Sequence, residues 1–169
     1  NNLEGYLFPD TYLIKRGEGM DEIVRIMLNT FQKKVVKPNR DEIEQVIEHR
    51  FNLDEDDFAL GLQKLLVVAS LIEREAKIPA DRSKISAVIW NRLAKNMKLQ
   101  IDATVSYSLG TSRENKNDLS HADLNSVSPY NTYVNFGLPP APICNPGLAS
   151  IKAALEPAAI DALYYVAKP

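Results

Sequence analysis

Two carboxylates, Glu73 and Glu75, close an apolar run, Leu65-Leu66-Val67-Val68-Ala69-Ser70-Leu71-Ile72, with Arg74 and Lys77 beside them. A carboxyl at the edge of an apolar helix is the raw material of a general acid, because burial disfavours its charged form and raises its pKa. The negative end of a helix dipole adds a small push the same way. The two acids are not equivalent. Residues three, four and seven apart share a helix face, so Glu75 continues the stripe Leu65, Val68, Leu71 and Ile72, whereas Glu73 lies above Leu66, Ala69 and Ser70. At about 100° per residue they point roughly 200° apart and cannot face one ligand as a close pair. A structural reading fits the same residues: Glu73 with Lys77, and Arg74, as ion pairs ending a core helix, since such networks also perturb carboxylates. Both readings stand at this point.

The other chemistry-bearing residues are isolated. His49 falls on the charged side of an amphipathic stretch, and His121 has no second His or Cys nearby, so no metal site is expected. Asp54, Asp56 and Asp57 lack the Gly and closing Glu of a calcium loop. The single cysteine, Cys144, excludes an internal disulfide and a Cys-rich zinc site. A net charge of −2 with scattered Lys and Arg leaves no nucleic-acid footprint. No Gly-rich phosphate loop, GxSxG elbow or HExxH occurs, and no cofactor is expected. No apolar run reaches the ~18 residues that span a membrane. The chain starts without Met, which suggests a segment of a longer protein.

These residues need a scaffold. Leu65–Lys77 is apolar all round for two turns and must be a buried helix. Ahead of it, Met20–Val36 reads as a helix on Ile23, Ile26, Met27, Thr30 and Phe31, and Asn39–Phe51 as a second on Ile43, Val46, Ile47 and Phe51. Asn52–Asp57 is an acidic helix entry with a capping Asp. After it, Pro79-Ala80-Asp81 starts a helix carrying Ile85, Val88, Ile89 and Leu93. Arg92, near its end, complements the dipole. Asp102 reads as the N-cap of a short helix stopped by Gly110. Thr111–Asn125 reads as an exposed loop. Ser126–Pro157 carries six prolines, with Tyr130, Tyr133, Phe136 and the amides Asn131, Asn135 and Asn145; rigid loops of that kind suit a sugar, whose rings stack on aromatic faces while amides bond its hydroxyls. Asn145-Pro146-Gly147 begins a last helix to about Leu155. Tyr12-Leu13-Ile14 reads as a strand end and Leu163–Ala167 as a buried strand. The expected class is therefore α+β: a helix-rich domain with a buried central helix and a small mixed sheet.

Taken together, Glu4–Tyr12, Ala69-Ser70-Leu71-Ile72-Glu73-Arg74-Glu75, Asn91-Arg92-Leu93, Met97–Val105, Tyr130-Asn131-Thr132-Tyr133, Gly137-Leu138-Pro139-Pro140 and Asn145-Pro146-Gly147 resemble the endolytic murein transglycosylase (YceG-like) family, in its order. The resemblance implies one catalytic domain over residues 1–169, with 20–57 as a helical insertion or lobe. It implies a single-pass, membrane-anchored bacterial enzyme working on the extracytoplasmic side. Its partners would be peptidoglycan glycan strands and the synthases of elongation and division, without nucleic acid. It would cut β-1,4 bonds between MurNAc and GlcNAc inside strands and leave 1,6-anhydro ends. The family's catalytic acid falls on Glu75. Glu73, Asn91, Gln100, Asp102, Tyr130, Asn131 and Tyr133 match positions expected in or behind the cleft. Ala103 departs from the family's usual Pro after the motif Asp. The family's transmembrane helix, LysM-like module and C-terminal stretch with a His and a Phe are expected outside this chain.

One acid suffices for such a lyase, because the nucleophile is the substrate's own hydroxyl. A hydrolase needs a second carboxylate roughly 5–9.5 Å away, so a muramidase remains open if Asp102 faces Glu75. A non-catalytic glycan-binding or scaffold module also remains open. The aminodeoxychorismate lyase label attached to related sequences would require pyridoxal phosphate on a Lys, and no phosphate cup is recognisable.

Overall fold

The computed structural model describes residues 3–110 and 119–166. In chain order, α1 covers Met20–Phe31, α2 Arg40–Phe51, α3 Phe58–Glu75, α4 Arg82–Ala94, α5 Asp102–Ser108, α6 His121–Leu124 and α7 Leu148–Leu155. A π-helical turn, Gln32–Val36, prolongs α1, and short 3-10 turns at Glu55–Asp57 and Pro79–Asp81 lead into α3 and α4. Asp54 caps the first of these turns by accepting from the Asp56 N–H at 3.1 Å. Gly110, at φ +63°, follows α5 in the left-handed conformation that ends helices.

The all-round apolarity of α3 has the expected outcome. Every residue from Leu65 to Ile72 is buried, and α2, α4, α5 and α7 pack around it. Full burial of a side chain such as Leu65, Leu71 or Ile72 is worth about 1.5–3 kcal/mol. Small residues set how closely the neighbours approach. A Cβ on Gly61 would lie 2.5–2.7 Å from three atoms of Ile47, so α2 crosses α3 where only hydrogen fits. Hydrogen bonds fix the register of the rest. Trp90 Nε1 donates to the Ala154 carbonyl at 3.0 Å and ties α4 to α7. Ser70 Oγ accepts from the Ile143 N–H at 3.1 Å and holds the Pro-rich segment against α3. The N-terminal segment is pinned by Asn145, whose Oδ1 accepts from the Gly5 and Leu7 N–H groups at 2.7 and 3.2 Å.

The expected α+β class is wrong. Among the described residues there is no strand, and the domain is all-helical with long irregular connections. Leu13 is 98% exposed, so Tyr12-Leu13-Ile14 joins no sheet. Leu163–Val166 is irregular too, and Ala167 lies outside the described residues. A strand must pair its backbone groups along a ladder. Here the carbonyls of Ile160, Ala162 and Leu163 accept instead from side chains of α4.

Candidate active site

Glu75 is the last residue of α3, and Ala76 turns the chain out of the helix into an extended conformation. The side chain is only 3% exposed, yet it lines a cleft of about 610 Å³ whose other walls include Ile78, Val88, Ala162, Tyr164 and Tyr165. The Tyr165 hydroxyl donates to Glu75 Oε2 at 2.8 Å. The carboxyl therefore sits at the boundary of core and cleft, oriented by a phenol from the far end of the chain.

Two adjacent residues of α4 put that phenol there. Asn91 Nδ2 donates to the carbonyls of Ile160 and Ala162 at 2.9 and 3.0 Å. Arg92 is 8% exposed; its Nε donates to the Leu163 carbonyl at 2.6 Å and its Nη1 to the Leu99 carbonyl at 2.7 Å. The guanidinium also stands 4.8 Å over the Tyr164 ring. A planar fork with several donors can hold two chain segments at once. Here it binds the C-terminal segment to the turn preceding α5.

On that side Asp102 accepts a short hydrogen bond from the Tyr133 hydroxyl. Ile101, not Asp102, is the N-cap of α5, and Asp102 occupies the first helical position. The two are aligned by a threonine pair: Thr132 Oγ1 accepts from the Ile101 N–H at 2.9 Å and lies 3.0 Å from Thr104 Oγ1. Burial pushes both phenols above the usual tyrosine range. For Tyr165 the charge and hydrogen bond of Glu75 add to burial, Asp102 adds further, and Arg92 opposes. For Tyr133 the bond to Asp102, the charge of Asp102 and that of Glu75 add to burial, and Arg92 again opposes. Each phenol thus stays a proton donor at neutral pH, in the field of both acids and of the same arginine.

The remaining expected residues are placed apart. Glu73 turns to α7, where Oε2 accepts from Ser150 Oγ at 2.5 Å and from the Gly147 N–H at 3.3 Å; an anion at a helix N-terminus is favourable there. No ion pair between Glu73 and Lys77 is present among the described residues. Asn131 is fully buried and spends its amide within its own loop, on the Leu124 and Ser126 carbonyls and the Tyr133 N–H. Asn135 bonds the Ser128 and Asn131 carbonyls. With Asn145 committed to the N-terminal segment, the three amides expected to meet sugar hydroxyls instead hold loop backbone. The Tyr130 ring packs on that of Tyr107 at 4.8 Å, and Tyr107 donates to Glu4 at 2.5 Å. Gln100 is exposed in a left-handed turn at φ +52°. Sequence reasoning missed Tyr165, taken as part of a strand, and Arg92, taken as a dipole complement. The only signal for Arg92 was its place in Asn91-Arg92-Leu93.

A family model described as YceG-like matches residues 1–169. The endolytic murein transglycosylase of Bacillus subtilis (strain 168) is 41% identical over 167 residues, which is 98% of this chain and 42% of that protein. The endolytic murein transglycosylase of Streptococcus pneumoniae serotype 2 (strain D39 / NCTC 7466) is 34% identical over 168 residues, 98% of this chain and 28% of its own. A crystal structure of a YceG-like protein from Listeria monocytogenes superposes with a TM-score of 0.83 at 39% identity, covering 98% of this chain and 49% of that one. The chain thus spans less than half the length of each of these relatives.

Proposed function

The chain belongs to the YceG-like family, and from that premise we propose that it is the glycan-cleaving part of an endolytic lytic transglycosylase with Glu75 as its acid and base. Glu75 gives its proton to the glycosidic oxygen as the bond from MurNAc C1 breaks through an oxocarbenium-like state. The carboxylate left behind takes the proton of the C6 hydroxyl, whose oxygen closes on C1. The products are a 1,6-anhydroMurNAc end and a free GlcNAc hydroxyl, and the carboxyl is regenerated. The observation that carries this reading is a carboxyl 3% exposed yet lining a cleft, with a phenol fixing its orientation. Asp102, with its donor Tyr133, is a second acid whose charge acts on the phenol bound to Glu75. Asn91 and Arg92 hold the wall. On this reading the substrate is peptidoglycan, the site of action is extracytoplasmic, and the partners are the synthases that extend the strands. Among the described residues no helix is long and apolar enough to cross a membrane, so the anchored state rests on the family alone.

The presence of Asp102 in the same electrostatic cluster favours one second reading, a water-splitting muramidase. Mass spectrometry of the fragments released from long glycan strands separates the two. Anhydro ends support the lyase, and reducing ends overturn it in favour of hydrolysis. Binding to strands without turnover by the full-length protein returns the chain to a scaffold.

A further inference from the structure

A second cleft, of about 570 Å³, opens between the end of α2, the first half of α3, the end of α4 and Leu138–Pro140. It shares no lining residue with the Glu75 cleft. Val67, the residue of α3 lining it that is nearest Glu75 in sequence, is eight residues from Glu75, about 12 Å along the axis. The two clefts also take different sides of α4. Lys84, Ile85 and Val88 line one, while Trp90, Leu93 and Ala94 line the other, and at about 100° per residue those sets point in nearly opposite directions. The second cleft is therefore no extension of the path past Glu75.

Its chemistry is one-sided. Phe51, Leu60, Leu93, Leu138 and Pro139 make apolar walls, and Arg50 and Lys64 supply the charge. Among the described residues no carboxylate lines it, although the chain as a whole carries more acids than bases. The Arg50 guanidinium lies 5.3 Å from the Trp90 ring centre and the Lys64 ammonium 5.4 Å from that of Phe51. Neither is within salt-bridge distance of a carboxylate among the described residues. Ring faces hold a cation in place without neutralising it. The C-terminal ends of α2 and α4 bring roughly half a negative charge each, which two permanent cations outweigh.

We propose that this cleft docks an acidic peptide segment of a partner protein, with an apolar side chain between the walls and flanking carboxylates on Arg50 and Lys64. Burial of the apolar group supplies affinity, and the two fixed cations supply specificity and a salt-dependent on-rate. Trp90 is the only tryptophan in the chain and lines the site, so its fluorescence reports occupancy directly and needs no turnover.

The test titrates the protein with the blocked hexapeptide Glu-Asp-Leu-Phe-Glu-Asp and with a counterpart bearing Lys at every acidic position. Saturable change of Trp90 emission by the acidic peptide alone, weakened about tenfold by Arg50→Glu and by Lys64→Glu, and weakened for the unaltered protein as salt is raised, is expected. Equal response to both peptides overturns the proposal. So does an acidic-peptide response unmoved by either charge reversal, or a stronger response to anionic phospholipid vesicles or anionic polysaccharide, each of which names a different occupant. Circular dichroism of the two variants, both altered at side chains on the cleft rim, checks that the fold is intact. Because binding is read without cleavage, failure here leaves the glycan-cleaving reading untouched, and failure of that reading leaves this one standing.

Discussion

Ninety positions separate Tyr165 from Glu75, and the phenol of one donates to Oε2 of the other at 2.8 Å. The contact joins the end of the central helix to the far end of the described chain. It makes the orientation of Glu75 depend on a segment without secondary structure, held in turn by Asn91 and Arg92.

Glu75→Gln keeps the shape of the carboxyl and removes its proton chemistry. On the proposed mechanism, release of anhydro-ended fragments falls by about 10²–10⁴, the usual weight of a general acid–base group. Glu73→Ala is the contrasting case. It deprives Ser150 Oγ and the Gly147 N–H of their acceptor and costs about 1–2 kcal/mol in urea unfolding, with activity per folded molecule within a fewfold. Reversed outcomes for the two variants would move the catalytic assignment to Glu73.

Tyr165→Phe removes one hydrogen bond to a carboxylate, an interaction worth about 1.5–3 kcal/mol. Turnover is expected to drop roughly tenfold with KM little changed, since the phenol positions Glu75. Alkaline stability should respond as well. The unfolded phenol titrates near 10.0, and burial together with Glu75 raises the folded value above that. The folded state therefore keeps a proton that the unfolded chain releases, so this stabilisation is whole below about pH 10 and declines as the pH climbs beyond it. Thermal melts from pH 8 to 11.5 should fall above 10, less steeply for Tyr165→Phe.

Arg92→Lys retains the charge and loses the fork. A lysine cannot span the Leu163 and Leu99 carbonyls as the guanidinium does. A loss of about 2–3 kcal/mol is expected, together with faster proteolysis within residues 160–166. An unchanged cleavage pattern would show that the clamp is not what holds that segment.

Gly61→Ala sets helix propensity against space. Alanine favours a helix by about 1 kcal/mol, but its Cβ meets three Ile47 atoms at 2.5–2.7 Å, and overpacking of this kind costs about 1–3 kcal/mol. Contacts that short place the clash in the upper part of that range, so it wins, for a net loss of up to about 2 kcal/mol in urea unfolding. The double variant with Ile47→Val should recover part of it, as expected for touching sites.

Cys144 should be inert. Burial, reinforced by the charge of Glu73, pushes its thiol up to about 12, so little thiolate exists at pH 8. Iodoacetamide should label it far more slowly in the folded protein than in urea; equal rates would show an accessible, ionised sulfur.

Periodicity identified most of the helices that make the core. The run Leu65–Ile72 is apolar on every face, and a helix with no polar side must be surrounded; Glu75 follows on its stripe because side-chain direction along a helix is a local property. The start of α7 at Asn145-Pro146-Gly147 and the stop at Gly110 are likewise local, set by which backbone angles those residues accept. What the rest of the site does was decided at long range. Leu163-Tyr164-Tyr165-Val166 has the composition of a strand, but a strand exists only with a partner, and here α4 side chains bond the carbonyls of Ala162 and Leu163 at its start. Asp102 has the residue type of a cap, but it sits one position inside α5 and Tyr133 claims its carboxyl across a loop. Asn131 has the chemistry to bind a sugar, but it is sealed inside its own turn. Local spacing tells where a side chain leaves the backbone; only the packed chain tells which of several competing partners it meets.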